Sequence, residues 1–125
     1  MPLEAETAGV AFLGFLHIRA KPEVAYNVHE ATEAMNWALR LTKNSPQPFL
    51  VNLSGAMKVS PKIFRYFSGR LSAEDAVALA IVTDSVLVAS LGRFFWSIHQ
   101  PAIPMRIYFT TSEAMSWLTG YRQLK

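Results

Sequence analysis

Apolar and polar positions along the chain follow two rhythms, one of period two and one near 3.6, and they change over several times. Residues 9–19, GVAFLGFLHIR, form an apolar run in which Val10, Phe12, Leu16 and Ile18 alternate with Ala11, Leu13, Phe15 and His17. This predicts a long strand with Gly14 marking a bulge or bend. Pro22 suits a first helical turn, and Val24, Val28, Ala31, Met35 and Ala38 then share one helical stripe that should end near Lys43. FLVNL (49–53) is a short apolar run, the mark of a strand covered on both faces. Ser60-Pro61 opens a second helix, with Ser60 as its cap, and Gly69 stands near its end.

AVALAIV (76–82) predicts another buried strand, and Asp84 a cap for a third helix reaching about His99. On that helix Leu87, Leu91, Phe94, Phe95 and Ile98 form the expected core arc. Val86, Ala89, Arg93 and Trp96 fall on the other side. MRIYF (105–109) predicts a less buried fourth strand, because Arg106 and Tyr108 alternate with apolar residues. Thr110 with Glu113 fits a capping box that opens a last helix carrying Ala114, Met115, Trp117 and Leu118. Strand then helix, four times over, predicts an α/β domain. Its small, mixed, mostly parallel sheet of four to five strands is flanked by helices, because parallel neighbours need a crossover about as long as a helix.

A chain of 125 residues is one domain by length. Residues 1–8 read as a flexible tail and 9–125 as the domain. Apolar residues make up 51% and charged residues 17%, which excludes a disordered chain and leaves apolar surface to spare. Self-association is the resulting expectation. The net charge of +3 is spread thinly, its densest group being Lys58, Lys62, Arg65 and Arg70, so no nucleic-acid footprint is predicted. Residues 76–98 have the length of a membrane span, but Thr83-Asp84-Ser85 and Arg93 interrupt them, so no membrane partner is expected. There is no cysteine, and the acidic start MPLEAETAG lacks the pattern of a signal peptide. A cytoplasmic location is the expectation.

FLVNLSGAMKVSPKIF (49–64) resembles the strand–DLSG–loop–helix segment of STAS domains (sulfate transporter and anti-sigma-factor antagonist), with Asn52-Leu53-Ser54-Gly55 standing for Asp-Leu-Ser-Gly. PMRIYFTTSEAMSWL (104–118) is similar to the last strand and helix of bacterial STAS-like proteins, where EAxxWL recurs. The resemblance spans most of residues 9–121. It implies a STAS-like fold and a regulatory or protein-interaction role. Antagonists of the family carry a phosphorylated serine or threonine in DSSG or DSTG at the start of the next helix. Here Ser60 takes the aspartate position, Pro61 the acceptor position and Ile63 the glycine position, so the resemblance does not carry the phosphoswitch over. Asn52, Ser54, Ser60 and Lys62 are the candidate loop residues, and Ser60 reads first as a helix cap.

Catalytic patterns are missing from the sequence. G-x-S-x-G, G-x-G-x-x-G and a Walker lysine do not occur, and His17, His29 and His99 lie on three separate predicted elements without metal-ligand spacing. No cofactor or metal is predicted, and a non-catalytic module is expected. Tyr26 and Trp37 project about 200° round the first helix from Val24, away from its core stripe. Val86, Ala89, Arg93 and Trp96 are the candidate homodimer interface, since Trp and Arg anchor interfaces. An unidentified protein partner fits the same role. The alternative is a small apolar, lipid-like ligand between the 76–82 strand and the third helix, because STAS-like proteins share their layout with the lipid-binding CRAL-TRIO group.

Overall fold

The computed structural model describes residues 3–4, 8–12, 16–21, 23–42 and 45–121. The strands are β1 (Leu3–Glu4), β2 (Ala8–Phe12), β3 (Leu16–Ala20), β4 (Ala25–Tyr26), β5 (Gln47–Asn52), β6 (Lys58–Val59), β7 (Ala76–Val82) and β8 (Met105–Tyr108). The helices are α1 (Val28–Thr42), α2 (Lys62–Arg70), α3 (Val86–Ile98) and α4 (Thr111–Thr119). Six strands form one sheet in the order β1-β2-β3-β5-β7-β8, and β4 and β6 form a small parallel pair. From β3 onward the main sheet is parallel, and β1, β2 and β3 pair antiparallel.

The parallel strands are laid down in sequence order and in one direction. Crossovers of one hand therefore place α1, α2 and α3 on the same face. Their side chains meet those of alternate strand positions. Leu16, Ile18, Phe49, Val51, Leu79 and Ile81 pack with Met35, Ile63, Phe64 and Phe67 in the main core. The intervening positions Leu50, Ala78, Ala80 and Val82 face the other way, where Ala114 and Leu118 of α4 cover them. Period two along the strands thus divides one sheet between two cores. Pro48 sits inside a central strand, where a missing N–H would break the ladder. The register with β7 shifts between Gln47 and Pro48, so the proline falls at an irregularity that accommodates it.

Three expectations change. The 9–19 run is not one strand: β2 and β3 pair antiparallel with Phe12 opposite Leu16, so the sheet gains a strand, and Gly14, the expected bulge or bend, lies outside the described residues. Within the expected tail, Leu3 and Glu4 pair with Val10 and Gly9. The first helix starts at Val28 rather than at Pro22, which lies outside the described residues. Glu23 has φ 63, a left-handed conformation that no helix continues through, and the Asn27 N–H is bonded by the Glu30 carboxylate at 2.8 Å. Tyr26 consequently belongs to β4 and is buried, not displayed on a helix surface.

Candidate functional site

The loop after β5 is built by short-range hydrogen bonds. The Asn52 side-chain oxygen accepts from the Ser54 N–H at 3.0 Å, turning the chain out of the sheet, and Gly55 supplies the positive φ of 88 that the turn requires. Segment 23–26 then clamps the loop. Glu23 N–H donates to Gly55 O at 2.9 Å, Met57 N–H to Val24 O at 3.1 Å, and Ser60 N–H to Tyr26 O at 3.0 Å. The Ser60 hydroxyl accepts from the Lys62 N–H at 3.3 Å, a capping role one residue ahead of Pro61, which already has helical φ and ψ. Asn52, Ser54, Ser60 and Lys62 are therefore brought onto one loop and helix start. The hydrogen bonds of Asn52 and Ser60 are spent on shaping it.

The last residue of that clamp, Tyr26, is 1% exposed, and its hydroxyl has no hydrogen-bond partner among the described residues. Burial raises its pKa well above the usual phenol value, and Tyr66 and Glu30 add to the rise. On β3, burial lowers the pKa of His17, helped by the charge of Arg19. No group of three or more His, Asp or Glu side chains with metal-binding proximity occurs among the described residues.

The third helix packs with the opposite face from the one its large apolar residues predict. Ala89 is fully buried, Trp96 is 7% exposed and Gly92 is buried between them. The Trp96 indole N–H donates to Phe64 O at 3.1 Å, and a Cβ added to Gly92 would stand 2.5 Å from the side chains of Ile107 and Phe64. Small residues inward let the helix approach β8 and α2 closely. Ala89 and Trp96 are therefore core residues and cannot line an outer interface. The side chains of Phe64 and Ile107 stand against the inner face of α3 at Gly92. Ser85, not Asp84, caps the helix, its hydroxyl accepting from the Val88 N–H at 3.1 Å. Arg93 lies along the flank, with Nη2 donating to Ile107 O at 2.8 Å.

Outward, α3 shows Leu87 (68% exposed), Leu91 (39%), Phe94 (65%) and Ile98 (58%), with Val86 (70%) at its start. At 100° per residue Leu87, Leu91, Phe94 and Ile98 cluster directly opposite Ala89, Gly92 and Trp96, and Val86 lies about 100° round the axis from that cluster. Of the predicted interface set, Val86 is exposed at the start of the helix, to one side of this patch. The patch itself was missed because both faces of the helix are apolar, and bulk alone selects the wrong one. The small residues Ala89 and Gly92, beside Trp96 in a 3-4 spacing, were the available signal for the inward face.

Residues 12–122 match a family described as a domain of unknown function, DUF7793. The chain belongs to that family. No protein with a curated description matches the DUF7793 chain by sequence. A solved structure of similar fold is that of an uncharacterized protein from the DUF3478 family, with a SpoIIAA-like fold, from Shewanella loihica PV-4. It aligns at TM-score 0.56 with 10% sequence identity, over 94% of the DUF7793 chain and 90% of the other. The likeness establishes the fold, which is STAS-like as the loop and C-terminal motifs implied. No helix among the described residues is long and apolar enough to cross a membrane.

Proposed function

We propose that this domain is a non-catalytic interaction module that forms a homodimer through the outward face of α3, without the family's serine switch. One observation carries the reading: α3 turns its larger apolar residues to solvent and its small ones to the core. Leu87, Leu91, Phe94 and Ile98, with Val86 exposed to one side of them, offer on the order of 500 Å² of apolar surface. Paired with a second copy, the patch contributes about 1,000 Å², the threshold of a specific interface. The order of the residues supports a second copy over a different partner. Leu87, Leu91, Phe94 and Ile98 are spaced four, three, four, which reads the same in both directions. A two-fold axis across the middle of α3 sets Leu87 opposite Ile98 and Leu91 opposite Phe94 of an antiparallel neighbour, the self-complementary arrangement of a two-fold dimer.

The use of Asn52 and Ser60 in shaping their own loop supports a structural role for that segment in place of a phosphorylated one. Sedimentation velocity tests the dimer. Wild type should sediment as a dimer, and Phe94→Glu or Leu91→Glu as a folded monomer. A wild type that stays monomeric at high concentration overturns the reading, and so does a Phe94→Glu variant that remains dimeric.

A further inference from the structure

Outer strand β8 keeps one side of its backbone outside the ladder. Leu79 N–H donates to Pro104 O at 2.9 Å and Thr83 N–H to Tyr108 O at 3.0 Å, so the even-numbered residues of this strand face β7. In a parallel pair, alternate residues turn both backbone groups to opposite sides. Met105 and Ile107 therefore point theirs outward. A groove of about 420 Å³ runs along this edge, with Arg93, Trp96, Met105, Arg106, Ile107 and Tyr108 in its walls. Arg93 closes it by holding the outward carbonyl of Ile107, with its guanidinium 5.4 Å from the Phe109 ring. Arg106 lies 5.5 Å from the ring of Trp117, on the α4 side of the sheet. Neither arginine is in an ion pair among the described residues.

We infer that this edge accepts an extended acidic segment of a partner protein by strand addition. A free edge supplies main-chain bonds, and side-chain contacts supply the selection. A carboxylate is a stronger acceptor for guanidinium than a neutral carbonyl, because it takes two parallel charge-assisted bonds. An incoming carboxylate thus draws Arg93 off Ile107 O and releases that carbonyl to an N–H of the added strand. Arg93 comes from the α3 side and Arg106 lies on the α4 side. Successive side chains of an extended segment point to opposite faces, so the preferred ligand carries two adjacent acidic residues, one for each arginine. A second copy is disfavoured here. Two β8 edges paired about a two-fold axis would bring both sets of arginines together, and like charges across a strand pair repel.

The test uses the full chain, ¹⁵N-labelled, and capped peptides Thr-Val-Glu-Glu-Val-Thr, Thr-Val-Lys-Lys-Val-Thr and Thr-Glu-Val-Glu-Val-Thr. The Glu-Glu peptide should slow hydrogen exchange at the Ile107 amide and bind better than the alternating Glu-Val-Glu peptide. The Lys-Lys peptide should do neither. Arg93→Gln and Arg106→Gln should each weaken the Glu-Glu peptide by about tenfold or more. Both arginines are exposed, so these variants keep the fold. Unchanged Ile107 exchange, or equal binding of the Glu-Glu and Lys-Lys peptides, overturns the inference. Self-association of Arg93→Gln through β8 with no peptide binding by wild type would reduce Arg93 to a guard of the sheet edge and overturn it equally. None of these readouts depends on dimerisation through α3.

Discussion

Trp96 and Phe64 are joined twice: the indole N–H reaches the Phe64 carbonyl at 3.1 Å, and the two rings meet edge to face at 5.4 Å. The pair locks α3 onto α2 and decides which face of α3 is inside. Trp96→Phe removes the hydrogen bond and keeps most of the ring contact, at an expected cost of about 1–2 kcal/mol. Trp96→Ala should cost about 3–5 kcal/mol. Urea denaturation of both variants measures the difference.

Gly92 provides a check on the same packing from the opposite direction. An exposed helical glycine replaced by alanine gains about 1 kcal/mol. Here the added methyl meets Ile107 and Phe64 at 2.5 Å. Overpacking of this kind costs about 1–3 kcal/mol, so Gly92→Ala should be net destabilising in urea titration.

The outward residues should behave differently. Leu87→Ser and Phe94→Ser remove side chains that are 68% and 65% exposed. Surface changes of this sort shift stability by no more than about 0.5 kcal/mol, measured by urea titration at a protein concentration low enough to favour monomers. A large loss under those conditions would mean that α3 packs with its other face.

Tyr26 buries a hydroxyl with no partner among the described residues, and burial raises its pKa. Tyr26→Phe removes an unsatisfied group and keeps the ring, so stability should hold or rise, whereas Tyr26→Ala should lose about 3–5 kcal/mol. The sign with pH follows. Above the ordinary phenol value of 10.0 the unfolded chain loses a proton that folded Tyr26 keeps. Wild-type stability should therefore fall as pH rises past that value, and the fall should be shallower in Tyr26→Phe.

His17 works at the acidic end. Burial, then the nearby Arg19, holds its pKa below 6.5. As pH drops beneath that value, the unfolded chain takes up a proton that folded His17 resists, so stability declines until the folded pKa is passed. Above it both states are neutral and His17 contributes no slope. Thermal melts between about pH 7 and pH 5 should show the decline, and His17→Gln should flatten it.

Much of the architecture was readable because local signals agreed with the tertiary outcome. Seven apolar residues at 76–82 could only be a strand covered on both sides, and Ala76–Val82 is that strand. Thr110 accepts from the Glu113 N–H at 3.2 Å, the first half of the expected capping box, and its hydroxyl donates to the Glu113 carboxylate at 3.1 Å. The α3 face was not readable from hydrophobicity, because Leu87, Phe94 and Ile98 outweigh Ala89 and Gly92 on any scale of bulk. What decides the face is how closely the helix must approach Ile107, a distance that local periodicity does not contain. The long 9–19 run concealed a reversal because both of its arms are apolar. The clamp of residues 23–26 over the loop at 55–60 joins segments about thirty residues apart, and no periodic pattern announces it.

The division of the sheet between two cores has an uneven consequence. Three helices are interleaved over one side and hold each other in place, but among the described residues α4 is the one helix that covers Leu50, Ala78, Ala80 and Val82, with Tyr108 and Tyr121 packed beside it. That helix can lift like a hinged shutter without disturbing a single strand pairing. The domain should therefore loosen first at its back, with α4 amides exchanging ahead of all the ladder amides of β5 and β7.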